Sequence, residues 1–320
     1  MSRTMPDGQP NRFRIGIVGH GFVGQAVEYA FTHPLVDFSL YDPKYNTSIS
    51  SLKDQSKDEH PQCFFIAAPT PSNDDGSVNG SMVEEAVLTC LNDTDALVIV
   101  KSTITPNVID SIYQKIDSEK ADRFCYNPEF LTEKNAKADF VTAKFHVVGG
   151  APNAIMECID IYEIFSGCQS NVYHRMTAYE ASFVKYTINS FLSTKITFFN
   201  QLYDLVNMYG CNFNTIVRAA GSDDRVGLGH TRVPGFDGKR GFGGACLPKD
   251  TRALLNFSTY DHPDGGQVSF DLLQKVLDIN SAYRVQYELD EREKVNNITF
   301  VDFGGSKNVD NGQTEEELED

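Results

Sequence analysis

Cys246 lies in the stretch GFGGACLPKD, residues 241–250, where three glycines precede it. Lys249 and Asp250 follow three and four residues later. A cysteine becomes a strong nucleophile when a nearby cation or backbone N–H donors favour its thiolate. Cysteine is also among the residue types most often buried as a small apolar side chain. The local sequence therefore leaves a nucleophile and a buried filler as equal alternatives.

Lys185 and Asn189 form a second candidate pair, because they lie four residues apart in a segment without Gly or Pro. Residues at this spacing share one face of a helix. A lysine and an amide directed into a cleft can polarise a carbonyl group and hold an oxyanion. On spacing alone, a solvated helix face is the favoured interpretation.

The segment NPEFLTE, residues 127–133, follows a predicted strand and carries carboxylates at Glu129 and Glu133. Doubly wound folds bind ligands at the carboxyl edge of their parallel sheet. A general base that activates water would fit there. A helix N-terminus enriched in acidic residues explains the same segment equally well.

The stretch GHGFVG, residues 19–24, has the pattern G-x-G-x-x-G between a predicted strand and a predicted helix. Its glycines allow a tight turn, the approach of a pyrophosphate and close packing of helix on strand. Asp42 ends the next predicted strand, where a carboxylate can bind ribose hydroxyls and repel a 2′-phosphate. The pattern therefore predicts NAD rather than NADP, although Lys44 lies nearby. The alternative is a glycine-rich turn that binds nothing.

The elements that position these residues change in type along the chain. Apolar strands alternate with helical segments in the first half, which predicts a parallel sheet covered on both faces; the strands are predicted at 12–19, 37–42, 63–68, 96–102, 123–127 and 145–150. Residues 177–209 contain no Gly or Pro and start with a capping box, so they predict one long helix. A shorter helix before Gly221, a loop over 222–250, a third helix over 270–293 and a strand over 297–305 follow.

The predicted fold class is α/β, with an N-terminal Rossmann-like doubly wound sheet followed by an all-helical middle domain with a long central helix. The predicted domains are a flexible N-terminus (1–11), an NAD-binding domain (12–175), a helical middle domain for dimerisation and catalysis (176–295), and a truncated strand with a disordered acidic tail (296–320).

Composition excludes several classes of partner. A net charge of −16 disfavours nucleic-acid binding, and no apolar run reaches the 18 residues of a membrane span. The seven cysteines form no CxxC pattern and no HExxH occurs, so no metal site is expected. The N-terminus lacks the apolar region of a signal peptide. Together these features predict a protein of the reducing cytoplasm, with no membrane and no nucleic acid as partner.

Taken in order, these segments resemble the UDP-glucose/GDP-mannose dehydrogenase family. The resemblance covers about residues 12 to 285 and rests on RIGIVGHGFVG, FIAAPTP, VKSTITP, NPEFLTE, EASFVKYTINSFLSTKITFFNQL and GFGGACLPKDTRAL. FLSTKITFFNQL is most similar to the UDP-glucose 6-dehydrogenase branch. The family oxidises the C6 alcohol of a nucleotide sugar to a carboxylate in two NAD-dependent steps, which implies conversion of UDP-glucose to UDP-glucuronate for polysaccharide biosynthesis.

The resemblance also implies roles for individual residues. Cys246 would attack an aldehyde to give a thiohemiacetal, which is oxidised to a thioester and hydrolysed. The other implied catalytic residues are Lys185 and Asn189 for the oxyanion, Asp250 and Glu133 for hydrolysis, and Thr103 for a bound water. The implied NAD contacts are Gly19, Gly21, Phe22, Val23, Gly24, Asp42, Lys44, Thr70 and Thr103. The implied substrate contacts are Glu129, Phe130, Leu131, Lys185, Asn189, Gly243 and Lys249.

The family further implies a homodimer formed through the long helix. The sequence departs from the family in having only a strand and an acidic tail where a third, nucleotide-binding domain is expected. It also departs in Lys239 and Arg240, which could grip a pyrophosphate or form a solvated basic loop. The remaining alternatives are another nucleotide sugar (GDP-mannose or a UDP-N-acetylhexosamine), a β-hydroxyacid dehydrogenase with no use for Cys246, and a non-catalytic NAD-binding paralogue.

Overall fold

The computed structural model of the protein describes residues 12–260, 266 and 268–301. The chain divides into two compact units. The first unit contains the residues up to Ser190 together with Lys249–Val268, and the second contains Phe191–Pro248 together with the residues from Ser269 onward. The predicted flexible N-terminus and acidic tail lie outside the described residues.

The first unit is built on a seven-stranded sheet with the order β2-β1-β3-β4-β5-β6-β7. The strands are β1 (Phe13–Val18), β2 (Val36–Tyr41), β3 (Cys63–Ile66), β4 (Leu97–Val100), β5 (Phe124–Tyr126), β6 (His146–Gly150) and β7 (Tyr173–Met176). The first five strands are parallel, as predicted. The prediction is wrong at β6, which runs antiparallel to β5, and β7 was not predicted. A continuous apolar run indicates burial on both faces but does not encode strand direction.

Helices cover both faces of this sheet, which confirms the doubly wound class. They are α1 (Phe22–Ala30), α2 (Ser81–Asp93), α3 (Pro106–Tyr113), α4 (Ser118–Ala121), α5 (Ala136–Val141) and α6 (Pro152–Phe165). Alternate residues of β3 and β4 belong to two different apolar clusters. One cluster includes residues of α2 and α3, and the other includes residues of α1 and α6. Each face of the sheet therefore has its own core.

The long helix predicted over 177–209 is confirmed as α7 (Ala178–Met208). Its start follows from the predicted capping box: the backbone and hydroxyl of Thr177 both donate to a carboxylate oxygen of Glu180, each at 2.8 Å. The remaining helices are α8 (Phe213–Gly221), α9 (Leu247–Ser258), α10 (Asp271–Arg284) and α11 (Glu291–Val295). A small apolar cluster in the second unit joins α7 to α8.

Three predictions for this half of the chain are wrong in detail. The predicted loop over 222–250 ends at Leu247, where α9 begins, because Pro248 is tolerated in the first turn of a helix. The helix predicted over 270–293 is two helices, since Asp290 caps a new start at α11. Residues 298–301 are not a strand, and the rest of the strand predicted over 297–305 lies outside the described residues. Within the described ranges, no helix is long and apolar enough to span a membrane.

Candidate active site

The glycine turn between β1 and α1 has the geometry that a dinucleotide requires. Gly19 has a φ of +86°, and a Cβ atom there would lie 2.5 Å from the carbonyl oxygen of Ala67. A Cβ atom at Gly24 would collide with the carbonyl oxygen of Gly19, so the third glycine allows close packing. By contrast, a Cβ atom at Gly21 would meet no atom of the described residues within 4 Å, apart from its two chain neighbours. The N-terminus of α1 is therefore open to a phosphate at the position where the pattern predicts one.

Asp42 follows β2 and faces the same turn. Its carboxylate accepts hydrogen bonds from the backbone N–H of His20 at 2.6 Å and of Lys44 at 2.9 Å. Burial of Asp42 raises its pKa, but these hydrogen bonds outweigh it, so the pKa of Asp42 is lowered. The Lys44 ammonium donates to the carbonyl oxygen of His20. The site therefore fits NAD, with an ionised carboxylate where the ribose would lie.

The side chain of His20 connects α1 to the segment after Asp42, and the sequence analysis did not identify this residue. Its imidazole is buried, with Nδ1 2.8 Å from the hydroxyl of Tyr45 and Nε2 2.9 Å from a carboxylate oxygen of Glu28. The side chain thus links α1 to the segment after Asp42. His20 occupies a variable position of the G-x-G-x-x-G pattern, so the pattern carries no signal for it.

Thr70 and Thr103 follow β3 and β4, and both are buried. The ends of β1, β3 and β4 are in register, because Val18 pairs with Ile66 and Ile66 pairs with Val100. The sheet order changes direction at β1, which has β2 on one side and β3 on the other. The glycine turn and both threonines consequently share the carboxyl edge of the sheet at its topological switch point. Phe22 and Val23 lie half-buried in the first turn of α1.

Lys185 is buried, so the solvated-face interpretation is wrong for it. Its ammonium donates to the carbonyl oxygen of Glu129 at 2.5 Å and to the Glu129 carboxylate at 3.2 Å. The two side chains are only 3% and 6% exposed. The ammonium also lies 5.4 Å from the ring centroid of Phe130. Glu129 is therefore the buried partner of a lysine, whereas Glu133 begins an exposed 3-10 turn (Glu133–Asn135).

Asn189 is also buried, one turn further along α7, and it contacts the start of α9. Its amide donates to Asp250 Oδ2 at 2.6 Å, and the ammonium of Lys249 donates to Asp250 Oδ1 at 2.6 Å. All three side chains are buried. The structure thus gathers two adjacent polar groups in the first unit, one around Lys185 and one around Asp250. The charge of Asp250 adds to burial in raising the pKa of the neighbouring Tyr186 hydroxyl.

Cys246 immediately precedes α9, the helix whose first turn carries Asp250. It is half-buried, whereas Cys63, Cys90, Cys125 and Cys158 are buried. Partial exposure distinguishes Cys246 from these core cysteines and favours the nucleophile over the filler.

Arg240 does not form a solvated loop. Its guanidinium donates to Asn200 and to Asp204, at 2.8 Å and 2.7 Å. It is stacked between the rings of Tyr203 and Tyr283, at 4.8 and 4.6 Å from their centroids. A guanidinium held in this way supports the loop rather than a pyrophosphate. Lys239 donates to the backbone of Glu288.

Lys101, directly after β4, is a buried lysine that the sequence analysis missed. Its ammonium donates to Asn127 Oδ1 at 2.9 Å and to the Tyr162 hydroxyl at 3.3 Å. Burial lowers the pKa of Lys101 to about 8. Lys101 lines a cavity of about 190 Å³ together with Glu129, Phe140, His146 and neighbouring residues. The Nε2 atom of His146 is buried and has no hydrogen-bond partner among the described residues.

We expect His146→Phe to reduce the acid sensitivity of the protein. Burial, aided by the charge of Lys101, lowers the pKa of His146 from 6.5 to about 4. Between these pH values the unfolded chain binds a proton that the folded chain does not, so stability falls as the pH falls, by at most about 1.4 kcal/mol per pH unit. Urea unfolding of parent and variant from pH 7 to pH 4.5 measures this difference.

The exposed His174 provides a matched control, because His174→Phe makes the same substitution at the surface of the same sheet. If the difference in unfolding free energy between His146→Phe and the parent stays constant over this range, the depressed pKa of His146 is contradicted.

Comparisons with known proteins identify the family of the chain. Residues 44–166 match the NAD binding domain of the UDP-glucose/GDP-mannose dehydrogenase family, and residues 179–282 match the central domain of that family. A UDP-glucose 6-dehydrogenase from Rickettsia conorii is 32% identical over 211 residues, which are 64% of this chain and 47% of that protein. The chain spans about half the length of such relatives.

Solved structures show the same relationship. The UDP-glucose dehydrogenase of Pyrobaculum islandicum has a TM-score of 0.65 and 26% identity, with 87% of this chain and 70% of that chain covered. A 3-hydroxyisobutyrate dehydrogenase from Mycobacterium tuberculosis has the same TM-score at 16% identity, covering 87% of this chain and 96% of that chain, and shows a shared fold alone. The two family matches together cover most of the chain. The chain belongs to the UDP-glucose/GDP-mannose dehydrogenase family, of which it carries the NAD-binding and central domains.

Proposed function

We propose that this protein is an NAD-dependent nucleotide-sugar 6-dehydrogenase that oxidises UDP-glucose to UDP-glucuronate. The observation that carries the proposal is the buried polar cluster of Lys185, Asn189 and Asp250, in a member of this family whose Cys246 directly precedes the helix of Asp250. Burying several charged and amide groups together is unfavourable unless their mutual contacts compensate it. Such a cluster, in a chain whose half-buried cysteine lies four residues before Asp250, supports chemistry rather than stability alone.

Bound NAD would accept a hydride from C6 in each of two oxidation steps. Gly21 leaves the N-terminus of α1 open to the pyrophosphate, and the ionised Asp42 would accept hydrogen bonds from the ribose hydroxyls. Thr70 and Thr103 lie at the same edge of the sheet. Asp42 disfavours a 2′-phosphate there, so NAD is preferred to NADP.

Cys246 supplies the covalent step between the two oxidations. Its thiolate attacks the carbon of the C6 aldehyde, forming a C–S bond and an alkoxide. Lys185 and Asn189 donate hydrogen bonds to that oxygen, and a cation also favours the thiolate. Loss of the second hydride leaves a thioester, so no aldehyde is released.

Hydrolysis of the thioester then regenerates the thiol. Asp250 accepts a proton from the attacking water, which becomes part of the carboxylate product, and the C–S bond breaks as the thiolate leaves. Asn189 and Lys249 hold the two oxygens of Asp250 in a fixed orientation. Glu133 assists this step from the exposed turn after NPEFL, and Thr103 holds a water near the nicotinamide.

The sugar nucleotide is bound by the segment Glu129–Leu131 and by Gly243 and Lys249. UDP-glucose is the preferred substrate because the relative from Rickettsia conorii is a UDP-glucose 6-dehydrogenase. A UDP-N-acetylmannosamine or GDP-mannose substrate is the second candidate, since dehydrogenases for both have this fold. A β-hydroxyacid substrate is less favoured, because a single alcohol oxidation leaves Cys246 without a role. We place the reaction in the cytoplasm, because none of the seven cysteines forms a disulfide.

Counting NADH per sugar tests the function directly. The protein is incubated with excess NAD and a limiting amount of UDP-glucose, and NADH is followed to completion at 340 nm by its absorbance. Two equivalents per sugar support a four-electron oxidation, one supports a simple alcohol dehydrogenase, and none supports a binding role. Parallel reactions with GDP-mannose, UDP-N-acetylmannosamine and 3-hydroxyisobutyrate identify the substrate, and a reaction with NADP tests the cofactor.

We further propose that α7 forms a homodimer. Phe191, Phe198 and Leu205 recur every seven residues along it and are 62%, 60% and 52% exposed. Large apolar side chains in a heptad stripe are typical of helices that pack against a partner helix.

Phe198→Asp is therefore expected to give a monomer. In a symmetric pair the change removes two buried phenylalanines, each worth about 1.5–3 kcal/mol, so dimerisation should weaken at least 100-fold. Light scattering after gel filtration measures the mass of parent and variant. Asn207→Asp places the same charge at an exposed position nine residues after Phe198, on the opposite side of α7, and should leave the dimer intact. A parent that elutes as a monomer at high concentration contradicts the proposal.

A further inference from the structure

The loop 241–244, just before Cys246, is held by buried side chains from distant parts of the second unit. Asn200 accepts the first backbone N–H of the loop at 3.0 Å. Asn280 accepts the second N–H at 2.7 Å and donates to the carbonyl oxygen of the same residue at 2.9 Å. Glu293 accepts the fourth N–H at 3.0 Å. The backbone of the loop is thus fixed by side chains rather than by regular secondary structure.

Glu293 makes the contact closest to the cysteine, and its carboxylate is fully buried. Its Oε1 atom accepts from Gly244 and, at 2.7 Å, from the guanidinium of Arg284. Its Oε2 atom accepts the backbone N–H of Asp290 at 2.9 Å in the capping box of α11. Arg284 also donates to Asp237 at 2.6 Å. The carboxylate therefore joins the start of α11, an arginine of α10 and the glycine loop.

Gly243 packs directly on this ion pair. A Cβ atom at Gly243 would collide with both the Arg284 guanidinium and the Glu293 carboxylate. The absence of a side chain is thus what allows the pair to lie against the backbone. Gly244 has a φ of +77°, a conformation that glycine adopts without strain but does not by itself maintain.

From these contacts we propose that Glu293 is a positioning residue that fixes the backbone two residues before Cys246, and through it the direction of the thiol. The proposal rests on the proposed role of Cys246 as nucleophile. A glycine-rich segment has more backbone freedom than any other, so a nucleophile that follows one needs external contacts to hold its position. Displacing a reacting atom by about 1 Å can lower a rate about 100-fold.

Two substitutions of Glu293 test whether this residue positions the loop before Cys246 or only stabilises the protein. Glu293→Asp keeps the charge beside Arg284 but shortens the side chain, so the contact with Gly244 is lost. Glu293→Gln keeps the length and removes the charge. Glu291→Gln is the matched control, because Glu291 lies in the same short helix and pairs only with the exposed Lys294. We expect kcat for NADH formation to fall about 100-fold in both Glu293 variants and the KM for NAD to stay within twofold.

Chemical labelling tests the position of the Cys246 thiol independently of the dehydrogenase reaction. Iodoacetamide labelling is followed peptide by peptide by mass spectrometry, and the exposed Cys211 serves as an internal standard. We expect the ratio of Cys246 to Cys211 labelling to rise at least fivefold in the Glu293 variants, and to stay unchanged in Glu291→Gln. If the parent protein lacks dehydrogenase activity, the proposed function is wrong. The labelling ratio still tests whether Glu293 positions Cys246, because labelling does not require the reaction.

Three outcomes would overturn the positioning role. The first is a kcat within threefold of the parent in a folded Glu293→Asp. The second is an unchanged labelling ratio. The third is a loss of activity in proportion to the loss of folded protein, which circular dichroism measures. This outcome includes the case in which neither Glu293 variant folds.

Discussion

Cys246→Ser should stop the formation of the acid while leaving the protein able to bind NAD. A serine hydroxyl is far less acidic than a thiol and cannot leave readily from an acyl intermediate, so the covalent step fails. We expect the steady-state rate of NADH formation from UDP-glucose to fall at least about 1,000-fold, as is typical when a nucleophile is removed. Quenched samples analysed by mass spectrometry measure the acid, and the parent should show a sugar nucleotide attached to the peptide of Cys246.

Cys211→Ser is the control for this prediction, because Cys211 is exposed and lies outside the proposed machinery. Its rate should match that of the parent. If Cys246→Ser forms UDP-glucuronate at the parental rate, the thioester mechanism is wrong. In that case the cysteine is a packing residue after all.

Lys185→Met should produce the largest loss of stability among single substitutions near the site. It leaves the carboxylate of Glu129, which is 6% exposed, without its cation. Removing one partner of a buried ion pair lowers the free energy of unfolding by about 3–5 kcal/mol. Urea unfolding of the variant and the parent at pH 7 measures the change.

The double variant Lys185→Met, Glu129→Gln separates stability from chemistry. Removing both charges should restore most of the lost free energy of unfolding, because no buried charge is left uncompensated. Dehydrogenase activity should not return, since the oxyanion still lacks its lysine. Lys57→Met is the control, because Lys57 pairs with Asp95 in an exposed ion pair and should change stability by less than about 1 kcal/mol. Equal losses in the single and double variants would show that the charge of Glu129 is compensated in another way.

The sequence predicts those parts of the fold that depend on local patterns. Apolar runs rich in β-branched and aromatic residues locate the strands, and the capping box of Thr177 locates the start of α7. Strand direction at β6 depends on which neighbour it pairs with, and the run of apolar residues does not record this. The sequence analysis missed the break after α10, because the charged residues that follow are also compatible with a continued helix. In the structure Asp290 instead caps the start of a new helix.

The candidate site was predicted where a motif names its residues, and missed where a residue acts through long-range contacts. Lys185 and Asn189 seemed a solvated pair on spacing alone, and only the resemblance to a family gave them a role. No local pattern predicts the contacts of Lys101 and His20. Glu293 belongs to the capping box of α11, but that pattern does not predict its contact with Gly244. These residues make their contacts because they are buried, and the burial of a charged or polar residue is difficult to predict from a single sequence.

The proposed role of Asp42 at the ribose and its contacts in the glycine turn together limit how the proposed cofactor preference can be redesigned. The direct way to admit the 2′-phosphate of NADP is to replace the acidic residue after the second strand with a neutral one. Here that carboxylate also closes the glycine turn through the N–H groups of His20 and Lys44. A substitution to alanine would remove both hydrogen bonds together with the charge. A redesign should therefore keep an acceptor at position 42, as asparagine does in part, and add the phosphate-binding cation at a neighbouring position.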